Sequence, residues 1–288
     1  MSDQDSSGQA DTVVHASMTD WDDAYANAEH IADADHWLET WPRRASSFRR
    51  ALADASRAQT RLSYGDHDRE VLDVYHPVGQ ALGVAIIVHG GYWLRFDAHT
   101  FSHLAAGAVE RGWLVATPSY PLCPDARIND ITRSVSKAIG HASGMAAGPI
   151  RLAGHSAGGH LVTRQLCPDS GLSPEVSARI ERVLSISGLH DLRPLMHTTM
   201  NDRLRLDDET ALGESAALQN PTSDAEVIAW VGAAERPEFL RQSALLCDAW
   251  NPLGVRTTVH VEPERHHFDV IEDLERADSP MLDLWLGG

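Results

Sequence analysis

The stretch Gly154-His155-Ser156-Ala157-Gly158 has the pattern G-x-S-x-G, with a short apolar run before it and a helix-forming run after it. That context is what a nucleophilic serine on a strand-to-helix turn requires. The turn is sharp, and bulk two residues to either side would collide with the neighbouring strand or helix. Its geometry lifts the Ser156 hydroxyl above the sheet. It also aims the Ala157 N–H, at the positive end of a helix, toward whatever the hydroxyl attacks. A second pattern, His89-Gly90-Gly91-Tyr92-Trp93, follows the apolar run that ends at Val88. Adjacent glycines let the main chain approach a bound group without an intervening Cβ. Charge developing on a tetrahedral intermediate needs preorganised donors, and backbone N–H groups are the usual source. Gly90, Gly91 and Ala157 are therefore the candidate oxyanion donors. Tyr92 and Trp93 are expected to face the pocket or its rim, where they suit a flat aromatic group.

A serine hydroxyl is a weak nucleophile without a base, and the base needs an orienting acid. With an elbow of this kind the chain order is Ser, then acid, then His. The sequence holds 16 His, so position must choose among them. The last strand is expected to end near Val261, and the loop after it contains His266-His267 just before the final helical run. His267 sits where the base belongs, with His266 as its competitor. The acid belongs in the loop after the preceding strand, Ala233-Ala234-Glu235-Arg236-Pro237-Glu238. Glu235 is the first carboxylate past the strand end. Glu238 is the alternative, although its place in a first helical turn already suits the macrodipole. As a metal site the His266-His267 pair is weak, because adjacent side chains diverge and no carboxylate cluster completes a set. His99 and His103 share a helical spacing but lack a third ligand.

These residues need a sheet to position them. Arg61–Tyr64 and Glu70–Tyr75 alternate around Gly65-Asp66, which predicts a β-hairpin. Strands are then expected at Gly83–His89, Trp113–Pro118, Ile150–Gly154, Arg182–Ser187, Ala225–Gly232 and Arg256–Val261. Helices are expected at His99–Arg111, Ile128–Ala142, Ala157–Leu166, Pro237–Trp250 and Phe268–Leu286. The alternation predicts an α/β fold with one mostly parallel sheet, an antiparallel N-terminal hairpin and helices on both faces. Residues 1–18 are polar and are expected to be disordered. Residues 19–288 are read as a single domain. Within it, residues 19–58 have helical spacing interrupted at Pro42, and this segment could lean over the site. Residues 189–222 are helix-like, with no strand, and read as a small cap inserted above the C-terminal edge of the sheet, where open α/β sheets bind ligands.

Lys and Arg total 24 against 41 Asp and Glu, a formal net charge of −17. That balance argues against nucleic-acid and anionic-membrane partners, which need cationic patches. The chain is 43% hydrophobic and 23% charged, an ordinary soluble composition. At 288 residues it is long enough to bury a core without disulfides or metals. Three scattered Cys, no secretory signal and no apolar run long enough for a bilayer predict a reduced, cytoplasmic setting. Eight Trp are compatible with a homodimer interface without requiring one.

Taken together, HGGYW, SYPLCPDARI, LAGHSAGGHL, SGLHDLRPL, VGAAERPEFLRQS and HHFDVIEDL resemble the α/β-hydrolase-type kynurenine formamidase (arylformamidase) family, a branch near the hormone-sensitive-lipase-like esterases. The resemblance runs from about residue 20 to the end. It implies the α/β-hydrolase fold, with Ser156 as nucleophile, Glu235 as acid and His267 as base. Glu235 stands where the family carries Asp, and Arg236 where it carries Ser, so an ion pair between Arg236 and the acid is an expected competitor. The implied reaction is hydrolysis of N-formyl-L-kynurenine to L-kynurenine and formate, with no cofactor or metal. An esterase or amidase acting on other small acyl or aryl substrates, carbamates included, shares the same triad. A catalytically silent binding module and a metal-dependent formamidase are the more distant readings. The zwitterionic end of formylkynurenine would need polar partners. The 189–222 segment offers Arg193, His197, Asn201 and Arg203, with Asn201 the first to test.

Overall fold

The computed structural model describes residues 20–287. The tail expected at 1–18 lies outside the described residues. Two helices open the chain, α1 (Trp21–Tyr25) and α2 (Ala34–Asp54). Eight strands follow: β1 (Ala58–Ser63), β2 (Val71–Tyr75), β3 (Val84–Val88), β4 (Leu114–Pro118), β5 (Ile150–His155), β6 (Ile180–Ile186), β7 (Glu226–Gly232) and β8 (Thr257–Glu262). They form one sheet in the order β1-β2-β4-β3-β5-β6-β7-β8. β1 pairs antiparallel with β2 and β2 antiparallel with β4, while the remaining pairs are parallel. Between the strands lie α3 (Ala106–Glu110), α4 (Ile128–Ser143), α5 (Ala157–Arg164), α6 (Pro174–Ser177), α7 (Asn201–Leu204), α8 (Asp208–Glu214) and α9 (Pro237–Trp250), with α10 (Pro280–Leu286) at the end.

The strands β3, β4 and β5 are buried along their whole length, which explains why they read as unbroken apolar runs. One core layer packs α4, α5 and α9 on one face of the sheet, built on Ile86, Val88, Leu152 and Val183. The other joins α2, α3 and α10 to Ala85, Val115, Leu184 and Trp230. After β3 the chain visits β4 on one side and then β5 on the other. A crevice therefore opens above the β3–β5 boundary, at the carboxyl ends of the strands.

Three expectations need correction. Pro42 does not interrupt the N-terminal helix, because α2 runs through it. Packing of the adjacent Trp41 against Phe96, Phe101 and Phe268 outweighs the lost backbone hydrogen bond. The segment 98–110 is two 3₁₀ turns and a short α3 rather than one helix. There the Asp97 carboxylate caps Thr100, and the Arg49 guanidinium takes the His99 carbonyl that a continuous helix would use. The last helix begins only at Pro280, since a residue before proline is pushed out of the helical region and Ser279 is extended. Among the described residues no helix is long and apolar enough to cross a membrane.

Candidate active site

Ser156 sits between β5 and α5 with φ 55° and ψ −118°, a strained conformation for a residue with a side chain. Its N–H is held by the Ile186 carbonyl at 2.8 Å. The small residues of the motif have a measurable purpose. A Cβ on Gly158 would lie 2.1 Å from the Val88 carbonyl oxygen, so α5 can approach β3 only with glycine there. Gly91 has φ +108°, and the loop after it keeps Tyr92 and Trp93 at φ 51° and 57°. Among the described residues the N–H groups of Gly90, Gly91 and Ala157 donate to no protein acceptor.

The His267 Nδ1–H donates to Glu235 Oε2 at 2.6 Å, with both side chains buried. The other oxygen, Oε1, accepts from the Gly232 N–H at 2.9 Å and from the Ser187 hydroxyl at 2.5 Å. Three donors thus satisfy a buried carboxylate that would otherwise be expensive to desolvate. Ser187 was not singled out from the sequence. Its only signal is its place directly after β6, one strand over from the elbow. It too is strained, with φ 50°.

The competing assignments resolve geometrically. His266 uses Nδ1 to accept from the Phe268 and Asp269 N–H groups, so it shapes the turn. Glu238 is buried against Tyr25, Arg241 and Gln242 and makes no contact with His267. Arg236 does not compete for Glu235. It turns away and pairs with Asp23 of α1. His99 and His103 face different carboxylates, Asp73 and Glu275. Among the described residues no group of three or more His, Cys, Asp or Glu could hold a metal ion.

Ser156 and His267 line one pocket of about 300 Å³. Its floor includes Gly90, Gly91 and His155, and its wall carries Trp41, Phe96, Phe101 and Phe268. Residues 25–29 close one side, so the N-terminal segment does lean over the site, and Met200 and Arg203 reach in from the 189–222 segment. Tyr92 also lines the pocket. Its hydroxyl donates to the Tyr25 carbonyl at 2.7 Å and accepts from Asn27, so it braces that segment. Two expected pocket residues are elsewhere. Trp93 is fully buried, edge-on to His160, and does not line the pocket. The Asn201 amide closes its own loop, donating to the Leu206 carbonyl and accepting from the Leu206 N–H.

The strand order, the elbow and a His–carboxylate pair at the carboxyl edge define an α/β-hydrolase. Residues 72–244 match the family model described as BD-FAE. A kynurenine formamidase of Salmo salar is 31% identical over 246 residues, spanning 80% of this chain and 82% of the relative. The chain belongs to the kynurenine formamidase family of hydrolases. A crystal structure from Silicibacter sp. TM1040, provisionally labelled a thioesterase, is 46% identical with a TM-score of 0.86, covering 92% of this chain and 98% of its own. Esterase B of Lactobacillus rhamnosus shares the fold, at 17% identity and a TM-score of 0.64 over 88% of this chain and 93% of its own.

Proposed function

We propose that this hydrolase removes the formyl group of N-formyl-L-kynurenine, or of a closely related aryl formamide, through a formyl-serine intermediate. The observation that carries the reading is the 2.6 Å His267–Glu235 pair, with His267 opening into the same aromatic-walled pocket as Ser156. Glu235 fixes the tautomer that leaves His267 Nε2 as proton acceptor. As Ser156 Oγ attacks the formyl carbon, Nε2 takes the hydroxyl proton. The oxyanion is held by the Gly90, Gly91 and Ala157 N–H groups, whose lack of protein acceptors supports this role. Collapse breaks the C–N bond, and the imidazolium delivers its proton to the leaving aniline nitrogen. Water then attacks the formyl ester with His267 again as base, releasing formate. A formyl group is small and electrophilic, and an aniline leaves more readily than an alkyl amine. Both features ease amide cleavage in a site of this design.

A second reading is hydrolysis of another short ester or thioester, favoured by the label on the 46% identical structure. The deciding experiment measures formate release from N-formyl-L-kynurenine beside cleavage of 4-nitrophenyl acetate, with Ser156→Ala as control. A kcat/KM of about 10⁴ M⁻¹s⁻¹ or more for the formamide, abolished in the variant, supports the first reading. Cleavage of the ester alone supports the second.

A further inference from the structure

Three charged side chains besides His155 and His267 line the pocket among the described residues: Glu29, Arg95 and Arg203. All three are solvent-exposed at its mouth. Neighbouring arginines are committed elsewhere, Arg236 to Asp23, Arg193 to Asp191 and Arg241 to Glu238. Arg95 and Arg203 have no ionic partner among the described residues, nor does Glu29. Arg95 lies over the Phe96 ring at 5.0 Å, so its cation is continuous with the aromatic wall. Elsewhere the chain is strongly acidic, with a net charge of −17. Two cations without an ion-pair partner lining one pocket, against the single carboxylate of Glu29, run against that background, which would otherwise repel an anionic ligand.

We propose that Arg95 and Arg203 form a carboxylate-accepting rim, with Glu29 beside them for an ammonium, so that the pocket selects aryl substrates bearing an α-amino acid head. The inference deepens the formamidase reading and rests on it for the orientation of the substrate. The reacting acyl group lies at Ser156, the aryl ring against Trp41, Phe96, Phe101 and Phe268, and the zwitterion at the mouth. Arginine suits this task because its planar fork can hold a carboxylate through two parallel hydrogen bonds.

The test is calorimetric titration of L-kynurenine and of kynuramine, which lacks only the carboxylate, into the full-length protein. Wild type is expected to bind L-kynurenine about ten-fold more tightly. Arg95→Gln and Arg203→Gln should each erase most of that preference while leaving kynuramine binding within about two-fold. Raising the salt concentration should weaken L-kynurenine more than kynuramine. Equal affinities in wild type, equal losses for both ligands in the variants, or no binding of either ligand overturns the rim. Titration needs no turnover, so its failure is separable from a failure of formate release, which would overturn the formamidase reading instead.

Discussion

The imidazole of His155 donates from Nε2 to the main-chain carbonyl of His267 at 2.9 Å. The residue before the elbow serine thus grips the loop that carries the base. The two rings lie 4.6 Å apart, and burial, reinforced by the neighbouring His267, holds His155 well below the usual imidazole range. It is therefore neutral at pH 7, beside the histidine proposed as the base. Replacing His155 with Phe keeps the bulk and removes the donor. Its expected result is a fall in kcat of about 10- to 100-fold with KM little changed. His155→Gln, which restores an N–H donor, should recover part of the loss. An unchanged kcat in the Phe variant would show that the loop is positioned without this bond.

Glu235 and Ser187 should separate cleanly. Glu235→Gln preserves shape but no longer stabilises the imidazolium, so kcat/KM is expected to fall about 10³- to 10⁴-fold. Ser187→Ala leaves the Gly232 N–H on Oε1, and a loss of about ten-fold or less is expected. Steady-state kinetics on either candidate substrate read both. Equal damage from the two variants would contradict the division of labour between the carboxylate oxygens.

Acid should destabilise the fold steeply. Burial lowers His89 to about 4 and His103, His160 and His190 to about 3, and His155 falls in the same direction. A histidine depressed in the folded state favours folding above its unfolded value, near 6.5, and loses that contribution as pH falls toward its folded value. For His89, His103, His160 and His190 the loss approaches about 1.4 kcal/mol per pH unit below 6.5. Because the contributions act in the same direction, acid is expected to erode a substantial part of a typical margin of about 5–15 kcal/mol. Urea midpoints between pH 7.5 and 5 should drop sharply. A flat profile over that range would mean that these rings are protonated in the native state.

The Arg236–Asp23 pair fastens α1 to the loop that carries Glu235. Because both side chains are partly exposed, the link should be modest, and Arg236→Ala is expected to raise KM about two- to five-fold with kcat nearly unchanged. Asp23→Asn should do the same, and the double variant should be no worse than either single one. Additive losses would show that the two residues act independently.

The elbow, the His–carboxylate pair and the strand sequence were legible because each depends on local constraints. Gly158 is needed where α5 meets β3. The two members of the pair, Glu235 and His267, follow from which loops end β7 and β8. Side-chain direction was not legible where the backbone leaves its ordinary regions. At Tyr92 and Trp93 two consecutive positive φ values turn one ring toward the pocket and bury the other against His160. Asn201 was misjudged for a related reason. Arg205 adopts a left-handed conformation, and the loop folds back onto the Asn201 amide. Ser187 was invisible because only the order β5-β6-β7 brings it to Glu235.

The pocket wall joins the two ends of the sequence, since Trp41 packs on Phe268 at 5.1 Å, beside His267. During synthesis the elbow around Ser156 emerges more than a hundred residues before His267. A nascent chain that has folded its first five strands therefore carries the serine but neither base nor closed pocket. On the proposed mechanism the base arrives only with the last stretch of polypeptide, so a chain clipped before His267 is expected to be inert toward small acyl compounds.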